Sequence, residues 1–245
     1  MKTVLITGAN KSIGFETARQ MLQAGYYVYL GARDAEKGRE AIERLKAEGL
    51  TDVEVIVIEI SDPASVESAR SVLGTKIKSL DVLINNAGIS GGFPQLPTGV
   101  SMETIRMVFD TNFFGTINMT MQFLDLLKNA DEPRIVNVTS GLASLTLHSD
   151  PNWKYYYSKN GAYGPSKTAL NAYTVALAKE LHNTKFKINV VDPGFTKTDF
   201  NNHRGTGEVR DAAAIIVKYA TIGVDGPTGK YFSQDIDGKD KESPW

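Results

Sequence analysis

Short apolar runs alternate with helical repeats from one end of the chain to the other. Residues 4–6, Val-Leu-Ile, form a brief continuous apolar stretch that stops at a glycine-containing turn, the signature of a buried parallel strand. Residues 13–24 then place Ile13, Ala18, Met21 and Leu22 at helical spacing, and the pattern stops at Gly25. The same two-stroke unit recurs. It predicts further strands at 27–30, 53–58, 80–84, 134–138, 187–191 and 231–232, and helices at 35–48, from Asp62-Pro63 onward, and at 102–129, 162–182 and 215–220. Residues 88–100, rich in glycine and proline, read as a loop.

Strands alternating with helices require crossover connections, and these are right-handed in nearly all parallel sheets. The expectation is an α/β protein with a doubly wound parallel sheet of about seven strands. No linker, repeat or low-complexity segment divides it, so one domain over residues 1–245 is expected. The tail from Ser233 is polar, with Asp235, Asp237, Lys239, Asp240, Lys241 and Glu242. It is either solvated or folded over the site.

Composition narrows the chemistry. Acids and bases nearly cancel, at a net charge of -1, which argues against nucleic acid or an anionic membrane as partner. The absence of cysteine removes disulfides, thiolate metal sites and cysteine nucleophiles together. His148, His182 and His203 are scattered without metal-ligand spacing, so no metal is expected. No stretch has the length of a membrane span, and the first apolar run is too short for a signal-peptide core. A cytoplasmic protein without membrane attachment is expected.

Two clusters carry candidate chemistry. The first joins the first strand to the first helix: Thr7-Gly8-Ala9-Asn10-Lys11-Ser12-Ile13-Gly14. A helix N-terminus offers unpaired N–H groups and partial positive charge, so a pyrophosphate is stabilised there without a dedicated cation. Gly8 permits the tight turn and Gly14 close packing, as in dinucleotide sites of the Rossmann type. The second cluster is Tyr163-Gly164-Pro165-Ser166-Lys167, with tyrosine and lysine four apart on one helical face. Free tyrosine, with a pKa of about 10, is a weak acid, and a neighbouring Lys⁺ is expected to lower it.

These segments resemble the short-chain dehydrogenase/reductase family, in particular its carbonyl-reductase-like members. The first loop is similar to the family's TGxxxGxG loop, except that Ser12 stands where the middle glycine is usual. If that position requires a positive φ, serine is strained there. The resemblance assigns Gly8, Asn10, Lys11, Ser12, Ile13 and Gly14 to a nicotinamide dinucleotide. Ala32 ends the second strand where NAD-specific folds carry an acid. Arg33 follows, and its guanidinium suits a 2′-phosphate. With Lys11 it implies NADP(H). Asp34 is read instead as the cap of the next helix. The resemblance also implies cofactor contacts from Glu59 and Ile60 after the third strand, and from Asn86, Ala87 and Gly88 in the NNAG motif. Pro193, Gly194, Thr196 and Thr198 follow the sixth strand in the same role.

For catalysis the resemblance implies Tyr163 as general acid, Lys167 tuning it and holding the ribose, Ser140 on the substrate oxygen, and Asn112 in a proton relay. Tyr163 and Lys167 thus count among the cofactor contacts too. Tyr155 and Lys159 also satisfy YxxxK, but Asn160-Gly161 breaks the pattern that follows, whereas a helical pattern follows Lys167. Choosing Tyr163 puts it 23 positions after Ser140, about ten more than most family members have. Residues 147–160, with Trp153 and three tyrosines, therefore read as an insertion beside the site. Its aromatic residues either line a substrate pocket or cover nearby helices. The expected activity is NADPH-dependent reduction of a ketone, aldehyde or quinone-like carbonyl, with a small-molecule carbonyl or alcohol as partner, in a monomer or homodimer. The alternatives are an epimerase or dehydratase that uses the cofactor transiently, and a non-catalytic NADP(H)-binding regulator.

Overall fold

The computed structural model describes every residue except Lys239, so that member of the acidic and basic tail lies outside the described residues. The chain runs β1 (Thr3–Ile6), α1 (Ser12–Gln23), β2 (Tyr27–Ala32), α2 (Ala35–Ala47), β3 (Val53–Val57), α3 (Pro63–Lys76) and β4 (Val82–Asn85). Next come α4 (Met102–Phe109), a π-helical turn (Asp110–Gly115), α5 (Thr116–Lys128), β5 (Arg134–Val138), the short α6 (Leu145–His148) and α7 (Tyr163–Glu180). The last elements are β6 (Lys187–Asp192), α8 (Val209–Ala220) and β7 (Tyr231–Ser233).

The seven strands form one parallel sheet in the order β3-β2-β1-β4-β5-β6-β7. Alternate strand residues face opposite sides, and both sides are buried. Val4 and Ile6 join Val28, Leu30, Val136 and Val191 against α1 and α8. Leu5 lies on the other face with Tyr29, Leu83, Ile135 and Ile188, against α3, α5 and α7. Burial on both faces explains why the strands read as continuous apolar runs rather than alternating ones. The strand order reverses between β1 and β4, and such a reversal opens a crevice at the C-terminal strand ends.

Local chemistry sets the helix starts. Asp34 accepts hydrogen bonds from the amides of Glu36 and Lys37, at 2.9 and 3.2 Å, so it caps α2 as expected. Asp62 accepts from the Ala64 amide at 3.0 Å, with Pro63 opening α3. A buried polar row then stiffens the strand ends beneath the crevice. Asn85 Nδ2 donates to Asn137 Oδ1 at 2.8 Å, and Asn137 Nδ2 donates to Thr174 Oγ1 on α7 at 2.8 Å. The amide donors of this row are met by one another and by Thr174, while Asn85 Oδ1 stays without a partner among the described residues.

Several boundaries differ from the sequence pattern by a residue or two, and three differences have a physical reason or a larger size. The fourth strand begins at Val82 rather than residue 80, because the Leu80 amide is taken by the Leu126 carbonyl at the end of α5. The helical pattern at 102–129 is interrupted by the π-turn, where Asn112 turns inward to the 88–100 loop. The last helix begins at Val209, six positions before the apolar repeat becomes visible. Among the described residues, no helix is long and apolar enough to cross a membrane.

Candidate active site

The β1–α1 loop is a cradle for an extended anion. Gly8 has φ +64°, and a Cβ there would lie 3.0 Å from Ala87 Cα. A Cβ on Gly14 would sit 2.5 Å from Asn86 Nδ2 and overlap the Gly8 carbonyl. Thr7 and the NNAG segment brace the loop from below. Thr7 Oγ1 accepts from the amides of Asn86 and Ala87, both at 3.0 Å, and Asn86 Nδ2 donates to the Thr7 carbonyl at 2.9 Å. The N-cap position of α1 is Lys11, a side chain with no acceptor atom, and no side chain caps this helix. An uncapped helix N-terminus over a glycine-lined turn fits a pyrophosphate. Ser12 adopts φ +49°, so the position does require the left-handed conformation and serine bears the strain.

The two cations read as phosphate ligands are both exposed and each faces an acid. Lys11 Nζ lies 3.1 Å from Asp199, which also pairs with His203 at 2.9 Å. Arg33 lies 3.7 Å from Glu59. Glu59 also accepts from the amide and hydroxyl of Ser61, at 3.2 and 2.9 Å, while Ile60 is buried. Exposed pairs of this kind contribute at most about 1 kcal/mol.

Tyr163 is the first residue of α7, and Lys167 lies one turn on; both are buried. The Ser140 side chain, just beyond β5, lies within reach of the Tyr163 hydroxyl. Lys167 Nζ donates to the Val138 carbonyl at 2.9 Å. Gly88 backs onto both Lys167 and Asn112: a Cβ there would lie 3.4 Å from Lys167 Nζ and 3.1 Å from Asn112 Oδ1. Asn112 accepts from the Ile89 amide at 2.8 Å and donates to Ser166 Oγ at 3.0 Å; Ser166 in turn donates to the Tyr163 carbonyl at 2.7 Å. The four residues singled out for catalysis thus meet at the strand ends.

The titration behaviour differs from expectation. The sequence reading has Lys167 lowering Tyr163; instead, burial pushes Tyr163 above the usual tyrosine range. The nearby Asp192 carboxylate adds to the rise, and the Ser140 hydrogen bond opposes it. Lys167 is itself brought down to about 8 by burial, with its ammonium turned to a backbone carbonyl. Desolvation disfavours the charged form of each group.

Residues 147–160 fold as turns beside this centre. Trp153 packs edge-on against His148 and Tyr155, at centroid distances of 4.8 and 5.2 Å, and Tyr155 meets Phe195 at 6.0 Å. The Tyr163 ring contacts Phe93 at 6.0 Å and Phe200 at 5.4 Å. Tyr157 points outward and is 85% exposed. Tyr155, the tyrosine of the second YxxxK, lies in a turn and gives its hydroxyl to Asp235 at 3.1 Å. The tail is folded rather than solvated at its end. Ser144 Oγ donates to the Pro244 carbonyl at 2.8 Å, and the Thr146 amide donates to the Trp245 carbonyl at 2.9 Å.

The Pro193-Gly194 loop turns tightly, with Thr196 Oγ1 donating back to the Pro193 carbonyl at 3.1 Å. Thr198 is buried at the start of the Asp199–Asn201 turn. Two site residues escape the sequence reading. Gln95 is buried in the 88–100 loop, and its Oε1 accepts from the amides of Ala162 and Tyr163, at 3.2 and 2.9 Å, capping the helix that carries the tyrosine. Its Nε2 donates to the Ser90 carbonyl at 2.6 Å. Asp192 is buried at the end of β6. Gln95 belongs to no motif, and Asp192 opens the Asp192-Pro193-Gly194 segment without a role of its own there, so proximity in space is what singles them out.

Comparison with known proteins agrees with this geometry. The family model described as short chain dehydrogenase matches residues 2–208. A (+)-neomenthol dehydrogenase of Capsicum annuum is 33% identical over 93% of this chain and 94% of its own length. The salutaridine reductase structure from Papaver somniferum superposes with TM-score 0.83 at 28% identity, covering 96% of this chain and 100% of that one. The Pseudomonas aeruginosa RhlG/NADP active-site complex gives TM-score 0.81 at 28% identity, covering 96% and 94%.

Proposed function

The chain belongs to the short-chain dehydrogenase/reductase family of oxidoreductases, and on that premise we propose that it reduces the carbonyl group of a small apolar molecule to an alcohol with NADPH, Tyr163 serving as general acid. The observation that carries the reading is the meeting of Tyr163, Ser140, Lys167 and Asn112 at the strand ends beside the anion cradle.

Gly8, Asn10, Lys11, Ser12, Ile13 and Gly14 would hold the pyrophosphate, and Asn86, Ala87 and Gly88 the adenosine side, with Glu59 and Ile60 at its far end. Pro193, Gly194, Thr196 and Thr198 would face the nicotinamide half. When bound, NADPH supplies the hydride. Tyr163 gives its proton to the substrate oxygen, and Ser140 donates a hydrogen bond that stabilises the alkoxide charge as it develops. Lys167, held by the Val138 carbonyl, keeps a positive charge near the tyrosine up to about pH 8. Asn112 fixes the Ile89 segment and Ser166, and through Ser166 the first turn of α7. Phe93 and Phe200 meet the Tyr163 ring and give its surroundings an aromatic character, which supports an apolar substrate. Two relatives are named for neomenthol and for salutaridine, and both names are those of small-molecule oxidoreductases.

The choice of NADPH rests on Lys11 and Arg33, on the absence of an acid at position 32, and on the NADP complex of the RhlG relative. Their exposed partners Asp199 and Glu59 are easily exchanged for a dianionic phosphate. The test is a panel of ketones, aldehydes and quinones, menthone included, followed by absorbance with NADPH and NADH in parallel. Oxidation of NADPH at least about 10-fold more efficiently than NADH is expected, and Arg33→Ala should erase most of that margin. Preference for NADH, or no turnover across the panel, contradicts the reading.

A further inference from the structure

Ser140 stands where the chain leaves the sheet. The Thr139 amide donates to the Val191 carbonyl at 2.8 Å, and the backbone then departs from β5 into the Gly141–Ala143 turn. Ser140 Oγ accepts from the Leu142 amide at 3.2 Å, which leaves its hydrogen for another acceptor. The Ser140 carbonyl accepts from the Ala143 amide at 2.9 Å and, from outside the turn, from the Tyr231 hydroxyl at 2.7 Å. Tyr231 opens β7, two places from β5 in the sheet, so its side chain ties the serine to a strand beyond β6.

Tyr231 is fully buried and is held in turn by the tail. Its backbone carbonyl accepts from the Ser243 amide at 2.8 Å, and its ring meets Trp245 at a centroid distance of 5.6 Å. The same tail residues reach the turn after β5, where Pro244 and Trp245 accept from Ser144 and Thr146. Residues 243–245 therefore brace Tyr231 and the Ser140–Ser144 segment together. A phenylalanine would fill nearly the same core volume as Tyr231. What tyrosine adds is a hydroxyl, and that hydroxyl is bonded to the serine's own carbonyl.

We propose that Tyr231 is a positioning residue that holds Ser140 by its backbone carbonyl, braced by residues 243–245, so that the serine hydroxyl stays aimed at the oxygen of the reacting carbonyl. The proposal rests on the reading of Ser140 as the group that bonds that oxygen. A donor stabilises a developing alkoxide best when it is in place before the charge forms. Misplacing such a donor lowers the rate of the chemical step and leaves cofactor binding alone.

The test has a kinetic and a spectroscopic arm, both on the full chain. Tyr231→Phe keeps the ring and leaves the Ser140 carbonyl its bond from Ala143, so it is expected to fold. Its kcat for ketone reduction should fall about 10-fold, with NADPH affinity by fluorescence within about twofold of wild type. Ser140→Ala alone should lose about 100-fold or more in kcat, and adding Tyr231→Phe to it should lose nothing further. An equal loss in both backgrounds, or wild-type kcat in Tyr231→Phe, overturns the proposal. Trp245→Ala, at a position 38% exposed, is the milder variant. It should lower kcat about threefold, again only where Ser140 is present, and an equal loss without Ser140 overturns the bracing role.

The spectroscopic arm reads the bond itself. The chain has two Ser-Gly pairs, Ser90-Gly91 and Ser140-Gly141. Cell-free synthesis with ¹³C-carbonyl serine and ¹⁵N glycine labels those two peptide bonds, and Ser140→Ala identifies the signal of interest by removing it. In Tyr231→Phe the Ser140 carbonyl resonance should move upfield as a hydrogen bond is lost. An unmoved resonance overturns the link between Tyr231 and Ser140. Full activity in Ser140→Ala, with the resonance moving as described, would instead overturn the premise about Ser140 and leave the link standing.

Discussion

The two halves of the sheet's C-terminal edge are built by different rules. Around β1, β2 and β4, the cofactor half rests on backbone requirements: Gly8 and Gly14 are small because Ala87 and Asn86 press on them, from strand ends that are neighbours in the sheet though more than 70 positions apart in the chain. Around β5, β6 and β7, the substrate half is assembled from distant pieces. Gln95 caps a helix that starts 68 positions later, and Ser144 is bonded to Pro244 across 100 positions. Backbone requirements leave glycines as their mark in the sequence, whereas a side-chain contact such as that of Gln95 leaves no pattern.

Substitutions that separate the halves sharpen the contrast. The largest effect is expected in the cofactor half. Gly14→Val would drive a side chain into the Gly8 carbonyl and Asn86, costing about 3 kcal/mol of stability and weakening NADPH binding about 100-fold or more. Calorimetry and cofactor fluorescence check both. Wild-type affinity in that variant would show that the cradle does not bind the cofactor. Gln95→Ala acts in the substrate half, leaving two buried amides without an acceptor. A loss of about 2 kcal/mol is expected, with lower kcat and an NADPH affinity changed less than twofold. A parallel loss of cofactor affinity would join the halves that the comparison separates.

The smallest expected effect is a gain. Ser12 occupies a left-handed position that glycine fills without strain. Ser12→Gly should stabilise the chain by about 0.5 kcal/mol after the entropy cost of glycine, raising Tm by about 1–2 °C. A lower Tm would mean that the serine hydroxyl contributes more than its strain costs.

The same division explains what the sequence made legible. The seven strands and their order of appearance were visible because both sheet faces are buried, and Asp34 and Asp62 were visible as caps because capping acts over two or three residues. Ser12 stood out as a departure, and its φ of +49° supplies the physical reason why glycine suits that position. The choice of Tyr163 over Tyr155 followed from the helix after Lys167, and the structure puts the two on a helix and a turn respectively. The titration of Tyr163 was not legible. It depends on burial and on Asp192, 29 positions away, neither of which spacing on one helix reports. Gln95 was hidden for the same reason. The tail offered two outcomes to the sequence, and the bonds from Ser144 and Thr146 select the folded one.

The most direct test of the central claim compares Tyr163→Phe with Tyr155→Phe, measuring NADPH affinity by fluorescence and ketone reduction by absorbance on the same preparations. Tyr163→Phe should lose about 1,000-fold or more in kcat with its NADPH affinity nearly unchanged, while Tyr155→Phe keeps its turnover within a few-fold. Full activity in Tyr163→Phe, or its loss in Tyr155→Phe alone, would contradict the assignment.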